Sequence, residues 1–461
     1  MGFFDWLFRR KKDDYSKGLQ RGYQRPSSHP QPLPPQPATP PQRAGTPPEP
    51  AGWGSPPPPP PWKNRTHRSW INRRSRTPPE PQRSEPIPKG RPGELRHLGG
   101  TAKHPDPHFK PGRVQELGLP AIPHLDALAT LLGTTISKVA GFAVRPPSTA
   151  MNWVHYFLHP VPKKSGGTRL LMVPCPELKR LQRRLHEVLV RKLPLHEAAH
   201  GFRARRDSLS NATAHAGKAV VICMDIADFF PSFDFRRVCG YLRWAGYGRG
   251  VAIALANLTT NSRNECKMRR KPDVQKGAGT LLSAWKCVPK HPDLLAGSLP
   301  ELPQGSPTSP GLANAICRRM DKRLAALARK FGGAYTRYAD DLTFSGGEEM
   351  SRRAGRLMQL ARKVITSEGL AVNEKKTRVM RRGRHQRVTG VVVNEKPNLP
   401  RAEFDRLKAI LTNCIRHGPA SQNREQHADF RAHLHGCVAY AAHIAPARGG
   451  KLVKLFNEIR W

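Results

Sequence analysis

Three aspartates carry the first suggestion of chemistry. The apolar run Ala219 to Met224 ends in Asp225, and a second run, Tyr335 to Phe344, is interrupted by Ala339-Asp340-Asp341. Both runs have the length and content of buried strands. A carboxylate at a strand end leaves the core and meets solvent, and a tight turn exposes two adjacent acids near the same sheet edge. Two or three aspartates at one point suit Mg²⁺, a hard octahedral ion usually held by a few carboxylates plus substrate phosphates. A pair of such ions neutralises the attacking and leaving oxygens of an in-line phosphoryl transfer at once. Charge pattern alone also permits a plainer account, with Asp225 and Asp228 as turn or cap residues and Asp340-Asp341 as a hairpin tip.

The composition points to a polyanionic partner. The chain has 461 residues, 78 of them Lys or Arg against 34 Asp or Glu, a net charge of +44. Residues 1–112 hold 20 basic and 8 acidic residues, a net of +12, so the other 349 residues carry +32. A basic tail therefore does not explain the charge. The ordered part itself is expected to line phosphates, as a nucleic-acid-binding surface does.

The acids need elements to position them. Leu117, Leu119, Ile122, Leu125, Leu128, Leu131 and Leu132 predict a helical lead-in from about Arg113. Trp153 to Val173 reads as a hairpin around the basic turn Lys163-Lys-Ser-Gly-Gly-Thr-Arg169. Glu177 to Leu193 reads as an amphipathic helix with Leu178, Leu181, Leu185 and Leu189 on one face. Further helical stretches are expected around 236–256, 311–331 and 350–369, then a strand at Arg387–Val393 and a mostly helical last sixty residues. Residues 13–112 hold 26 of the 47 prolines and few aliphatic residues, so a disordered or polyproline-like arm is expected, interleaving Trp53, Trp62 and Trp70 with Arg65, Arg68, Arg73, Arg74 and Arg76. It reads either as an RNA- or partner-touching arm or as a solvated linker.

Four blocks, in order, resemble the reverse transcriptase family: Asp225-Ile-Ala-Asp228-Phe-Phe230, Leu302-Pro-Gln-Gly-Ser-Pro-Thr-Ser-Pro310, Tyr338-Ala-Asp-Asp341 and Gly369-Leu-Ala-Val-Asn-Glu-Lys-Lys-Thr377. The resemblance implies an α+β right-hand polymerase, with fingers and an antiparallel palm at 113–394, a helical thumb at 395–461 and the disordered arm at 1–112. It also implies that Asp225, Asp340 and Asp341 ligate two Mg²⁺ ions, with Mn²⁺ as a substitute. Phe230 would lie under the sugar of the incoming deoxynucleotide and exclude a 2′-OH, with Asp228 in the same block. Gln304 and Gly305 would contact that nucleotide, Lys163 and Arg169 would hold its triphosphate, and Lys376, or secondarily Lys375, would protonate pyrophosphate. For these basic residues ordinary template contact is the competing account.

Two shorter blocks, Asn211-Ala-Thr-Ala-His215 and Val388-Thr389-Gly390, resemble elements that distinguish bacterial retron reverse transcriptases. Alone, each also reads as structure: a helix-start turn with a surface His, and a strand closing the palm. The resemblance implies RNA recognition by these blocks and by Arg401, Arg406, Lys408 and Arg416, with a structured non-coding RNA as template and primer. The product would be branched msDNA started from an internal guanosine 2′-OH. Host ribonuclease H would remove copied RNA, since the last sixty residues are too few for that fold, and a separate effector would act with the enzyme in defence against phage. Two alternatives stay open: a group II intron-like or diversity-generating enzyme, and an RNA-binding scaffold without catalysis.

Eight scattered cysteines without a Cys-x-x-Cys pair suggest reduced thiols and a cytoplasmic location. No run of eighteen apolar residues is available for a membrane span. Met1 to Lys12, aromatic then basic, reads as a surface anchor or a protein-docking segment; Trp6 departs from the myristoylation pattern.

Overall fold

The computed structural model describes residues 105–143, 155–162, 168–262, 266–268 and 299–461. Lys163, Cys287 and the arm up to residue 104, with its tryptophans, lie outside the described residues. The lead-in consists of α1 (Pro111–Glu116), α2 (Leu125–Leu132) and α3 (Ile136–Ala143). Packing begins ahead of the expected boundary at Arg113. Asp106 is buried, and its carboxylate accepts the backbone N–H of Gly250 at 2.9 Å, in the first turn of the helix Arg249–Thr259. An acid there satisfies an orphan donor and meets the positive end of the helix dipole.

The expected hairpin is β1 (Tyr156–Pro162) with β2 (Thr168–Pro174), paired antiparallel. Helix α4 (Pro176–Val188) ends earlier than its leucines suggest, giving way to a 3₁₀ turn at Val190–Lys192. Pro194 accounts for this, because it pushes Leu193 out of the α region, to ψ 140°. Then come α5 (Ser208–Thr213), β3 (Val220–Asp225), α6 (Phe235–Trp244), α7 (Arg249–Thr259) and β4 (Lys267–Met268), which runs parallel to β1.

After α8 (Ser309–Ile316) and α9 (Arg318–Lys330), β5 (Gly333–Tyr338) and β6 (Asp341–Gly346) form a hairpin. Helices α10 (Glu348–Arg352) and α11 (Ala354–Ser367) lead to β7 (Arg378–Arg381). The central sheet has the order β5-β6-β3-β7, antiparallel throughout. Its interior is Val220, Val221, Ile222, Met224, Leu342 and Phe344, each at most 1% exposed. Burial of such side chains stabilises by about 1.5–3 kcal/mol apiece, which holds the acid-bearing strand ends in register.

The single strand expected at Arg387–Val393 is instead β8 (Arg387–Val388) folded back on β9 (Val391–Val392). The cause is the Thr389-Gly390 pair, with φ of 46° and 89°, which turns the chain between the valines. Three helices follow, α12 (Arg401–His417), α13 (Phe430–Ile444) and α14 (Pro446–Asn457). Their core, with Leu407, Leu411, Leu434, Val438 and Leu452, is continuous with Val221 and Met380 of the sheet and with Val388 and Val391.

Candidate active site

The β3–β6 register sets Asp225 directly opposite Asp341. Directly opposed residues on paired strands share a face, with Cβ atoms about 4.5–5.5 Å apart. Asp340 is tied to the same point through the backbone, where the N–H of Ile226 donates to its carbonyl at 2.9 Å. The C-terminal side closes in the same way: Asn373 N–H donates to the Asp225 carbonyl at 2.7 Å, and Lys376 Nζ donates to Asp225 Oδ2 at 2.9 Å. Four residues separated by up to 151 positions thus meet at one sheet edge.

Burial raises the pKa of the Asp225 carboxyl; Lys376 opposes the shift and the charge of Asp340 adds to it. Burial also raises Asp341, with the charges of Asp340 and Asp225 reinforcing it. Partial burial disfavours the Lys376 ammonium, yet its hydrogen bond to Asp225 and the three aspartate charges outweigh this and raise its pKa. Like charges held together against desolvation make a site that gains from an added cation. Among the described residues, no three His, Cys, Asp or Glu side chains are gathered tightly enough to hold a metal unaided. Magnesium does not need that, since it takes one or two carboxylates and completes its octahedron with water and substrate phosphate. Asp225 and Asp341 are cross-strand neighbours, and Asp340 precedes Asp341 in sequence, so two carboxylates are in place for such an ion.

Phe230 is half-buried, its ring centroid 6.4 Å from that of Phe202, which in turn lies 6.5 Å from Tyr338 of the acid turn. Phe202 is 53% exposed and has φ of 57°. Sequence reading missed it, although a large exposed aromatic inside the basic segment Gly201-Phe-Arg-Ala-Arg-Arg206 was an available signal. Asp228 is exposed in a left-handed conformation at φ 44°, its carbonyl accepting the Ser232 N–H.

Gln304 and Gly305 are stitched to the β1–β2 hairpin. Met172 N–H donates to the Gln304 carbonyl at 2.9 Å, and a Cβ on Gly305, whose φ is 133°, would stand 2.7 Å from the Met172 carbonyl oxygen. Glycine is therefore required for this approach. Behind it, the buried Gln182 amide donates to Tyr156 Oη at 2.6 Å and to the Leu258 carbonyl at 2.8 Å, and accepts from Ser306 Oγ at 2.9 Å. Arg169 lies on β2 opposite Val161, on the strand that holds the Gln304 segment.

The blocks expected to read RNA are largely inside the protein. His215 is fully buried, with Nδ1 2.7 Å from Ser345 Oγ and Nε2 2.7 Å from Thr336 Oγ1, so it ties β5 to β6. Burial lowers its pKa to about 3, which keeps the ring neutral. Asn211 and Val388 are each 1% exposed, and Thr389 Oγ1 donates to the Ser208 carbonyl at 3.1 Å. The expectation of direct RNA contact is corrected for Asn211, His215 and Val388, whose side chains are buried, His215 against β5 and β6 and Val388 in the apolar core shared with the C-terminal helices. The surface-His account fails for the same reason. Thr389 and Gly390 stay half-buried at the β8–β9 turn.

The helical bundle carries a separate cavity of about 230 Å³, bordered by Arg406, Asn413, Gln422, Arg424, His427 and His433. The His427 and His433 rings stack there at 3.8 Å.

Residues 299–398, which contain the Gln304 segment and the acid turn, match the family model described as reverse transcriptase (RNA-dependent DNA polymerase). The class is thus an RNA-directed DNA polymerase. The chain is 41% identical over 337 residues to the retron Mx65 reverse transcriptase of Myxococcus xanthus, covering 73% of this chain and 72% of that protein. It is 38% identical to the retron Mx162 reverse transcriptase of the same organism, over 75% and 69% of the two chains. The retron Ec86 reverse transcriptase of Escherichia coli is 28% identical over 65% of this chain and 80% of that one. The protein belongs to the retron reverse transcriptases, and its mixed helix-and-sheet architecture is that of a reverse transcriptase. Membership removes the group II intron-like, diversity-generating and non-catalytic alternatives. Reverse transcriptases use divalent metal ions. None of the described helices is long and apolar enough to cross a membrane.

Proposed function

We propose that this enzyme copies a structured non-coding RNA into branched msDNA, with Asp225, Asp340 and Asp341 holding two Mg²⁺ ions, for which Mn²⁺ can substitute. The observation that carries the site assignment is the cross-strand pairing of Asp225 with Asp341, with Asp340 bonded to the next backbone amide. The first step is attack by an internal guanosine 2′-OH on the α-phosphorus of a deoxynucleoside triphosphate. The P–O bond to pyrophosphate breaks, and later additions use the 3′-OH of the growing strand. Bound Mg²⁺ supplies charge neutralisation at the attacking and leaving oxygens. Lys376 donates a proton to the departing pyrophosphate, and Arg169 and Lys163 steady the triphosphate. Phe230 bears on the sugar edge where a ribose 2′-OH would sit, Asp228 borders the same turn, and Gln304 and Gly305 face the base-paired nucleotide.

RNA recognition then falls to exposed residues, Arg401, Arg406, Lys408 and Arg416, on the 395–461 thumb, with fingers and palm at 113–394. The buried Asn211, His215 and Val388 support it only from behind, through the Thr389-Gly390 turn. Host ribonuclease H removes the copied RNA, and the enzyme serves a cytoplasmic anti-phage system with a separate effector protein.

The combined Asp340→Asn, Asp341→Asn enzyme should synthesise no DNA on a primed RNA while binding that RNA nearly as the wild type does. Full activity would overturn the site assignment. Cells expressing the gene with its flanking DNA should yield a small nucleic acid that a debranching enzyme shortens, and its absence under good expression would overturn the msDNA reading.

A further inference from the structure

The residue just before the paired aspartates sits in an uncommon conformation. Ala339 has φ of 56°, a left-handed geometry that few non-glycine residues adopt and that costs free energy unless the surroundings hold it. Two groups grip its two ends. On the nitrogen side, Gly201 lies so close that a Cβ there would stand 2.8 Å from the Ala339 nitrogen. On the carbonyl side, Arg337 Nη1 donates to the Ala339 oxygen at 3.1 Å, fixing the peptide that leads into Asp340.

The Arg337 guanidinium is itself fully immobilised. Nε and Nη2 both donate at 2.8 Å to the two oxygens of Asp321 on α9, and Nη1 also donates at 2.8 Å to Asn314 Oδ1 on α8. Arg337 and Asp321 are fully buried, so the fork has one available geometry. Asn314 closes the circuit, because its Nδ2 donates at 2.7 Å to the carbonyl of Gly201, the residue pressed on the other side of Ala339. Helix α8 begins within the Leu302–Pro310 block, so one amide side chain connects the nucleotide-facing block, the Gly201 loop and the acid turn.

We propose that Arg337 and Asn314 are positioning residues that hold Ala339 left-handed and so set where Asp340 and Asp341 present their carboxylates. This rests on the metal-binding reading of those two aspartates. A misplacement of about 1 Å at a reacting centre costs on the order of 100-fold in rate, whereas the residues proposed to grip RNA, Arg401, Arg406, Lys408 and Arg416, lie on α12.

The test uses full-length Arg337→Lys and Asn314→Ala, read by steady-state kinetics on a primed RNA, Mn²⁺ binding by calorimetry, and thermal denaturation. Asn314→Ala leaves no unpaired buried charge and keeps the test informative if Arg337→Lys folds poorly. The expected result is a kcat lower by about 10–100-fold, Mn²⁺ binding weakened several-fold, and KM for deoxynucleotide and RNA affinity within about 2-fold of wild type. A fall in melting temperature with unchanged Mn²⁺ affinity and kcat in the folded fraction would overturn the proposal and leave a structural role only. Unweakened Mn²⁺ binding by the combined Asp340→Asn, Asp341→Asn enzyme would instead show that the underlying metal reading had failed.

Discussion

Two acid–base pairs, one anchored on β5 and one on β3 of the same sheet, are built in opposite ways. Asp321 and Arg337 are fully buried and joined by two parallel hydrogen bonds, with Tyr335 Oη adding a third contact to Asp321 at 2.9 Å. Asp225 and Lys376 share a single contact at 2.9 Å, and the lysine side chain is 56% exposed. The first pair satisfies its charges internally and has nothing left to offer a ligand. The second leaves acids at 225 and 341 that are costly to keep ionised and a lysine free to swing toward solvent. Fixed charge thus supports the turn from beneath, while exchangeable charge, on the exposed Lys376, stands beside the acids.

Substitutions should separate the two pairs, and the largest effect on stability belongs to the closed one. Arg337→Met strands a buried carboxylate and should cost about 3–5 kcal/mol in chemical denaturation; a loss comparable to that of a surface substitution would break the contrast. Lys376→Ala should leave the denaturation midpoint almost unmoved but lower kcat by about 10²-fold, and it should flatten the alkaline limb of the pH–rate profile. Next in size is Gly305→Ala, expected to raise KM for deoxynucleotide several-fold, because its methyl group would push the segment off β2. Equal KM values would show that the close approach to Met172 does not matter.

The pH dependence sharpens the comparison from the other side. The folded pKa values of Asp225 and Asp341 lie above the ordinary 3.8, so the folded state holds protons that the unfolded state has released. Their burial therefore costs stability above the raised values, and the cost is relieved as pH falls through them toward 3.8. In metal-free buffer, Asp341→Asn should accordingly raise the melting temperature at neutral pH, and with metal supplied it should remove activity. An Asp341→Asn enzyme that melts lower than wild type at neutral pH would contradict this account. The smallest effect is assigned to the bundle: Arg406→Ala at the cavity edge should weaken RNA binding by about 1 kcal/mol in a salt titration and leave synthesis on a generic primed template unchanged.

What sequence made visible follows from how local each signal was. The buried run before Asp225 and the interrupted run around Asp340 announce themselves by composition, and the resulting register pairs the acids. Strand β7 escaped because Arg378-Val-Met-Arg381 looks like a basic loop until β3 supplies a partner. The Arg337–Asp321 pair was illegible because sixteen residues separate its members and a basic side chain in so basic a chain draws no notice. His215 was misjudged for a related reason: histidine beside alanines in the turn after a short helix gives no sign that Thr336 and Ser345 wait on two strands to receive it. Long-range polar pairing has no periodicity, and these side chains depend on it.

The uninterrupted apolar core between sheet and C-terminal helices bears on how the enzyme advances along its template. Val221 of the acid-bearing strand and Leu411 of α12 belong to one cluster, so swinging the bundle away would expose hydrocarbon on both sides to water. Processive copying should therefore slide the heteroduplex past a stationary wall instead of opening and closing a jaw at each nucleotide.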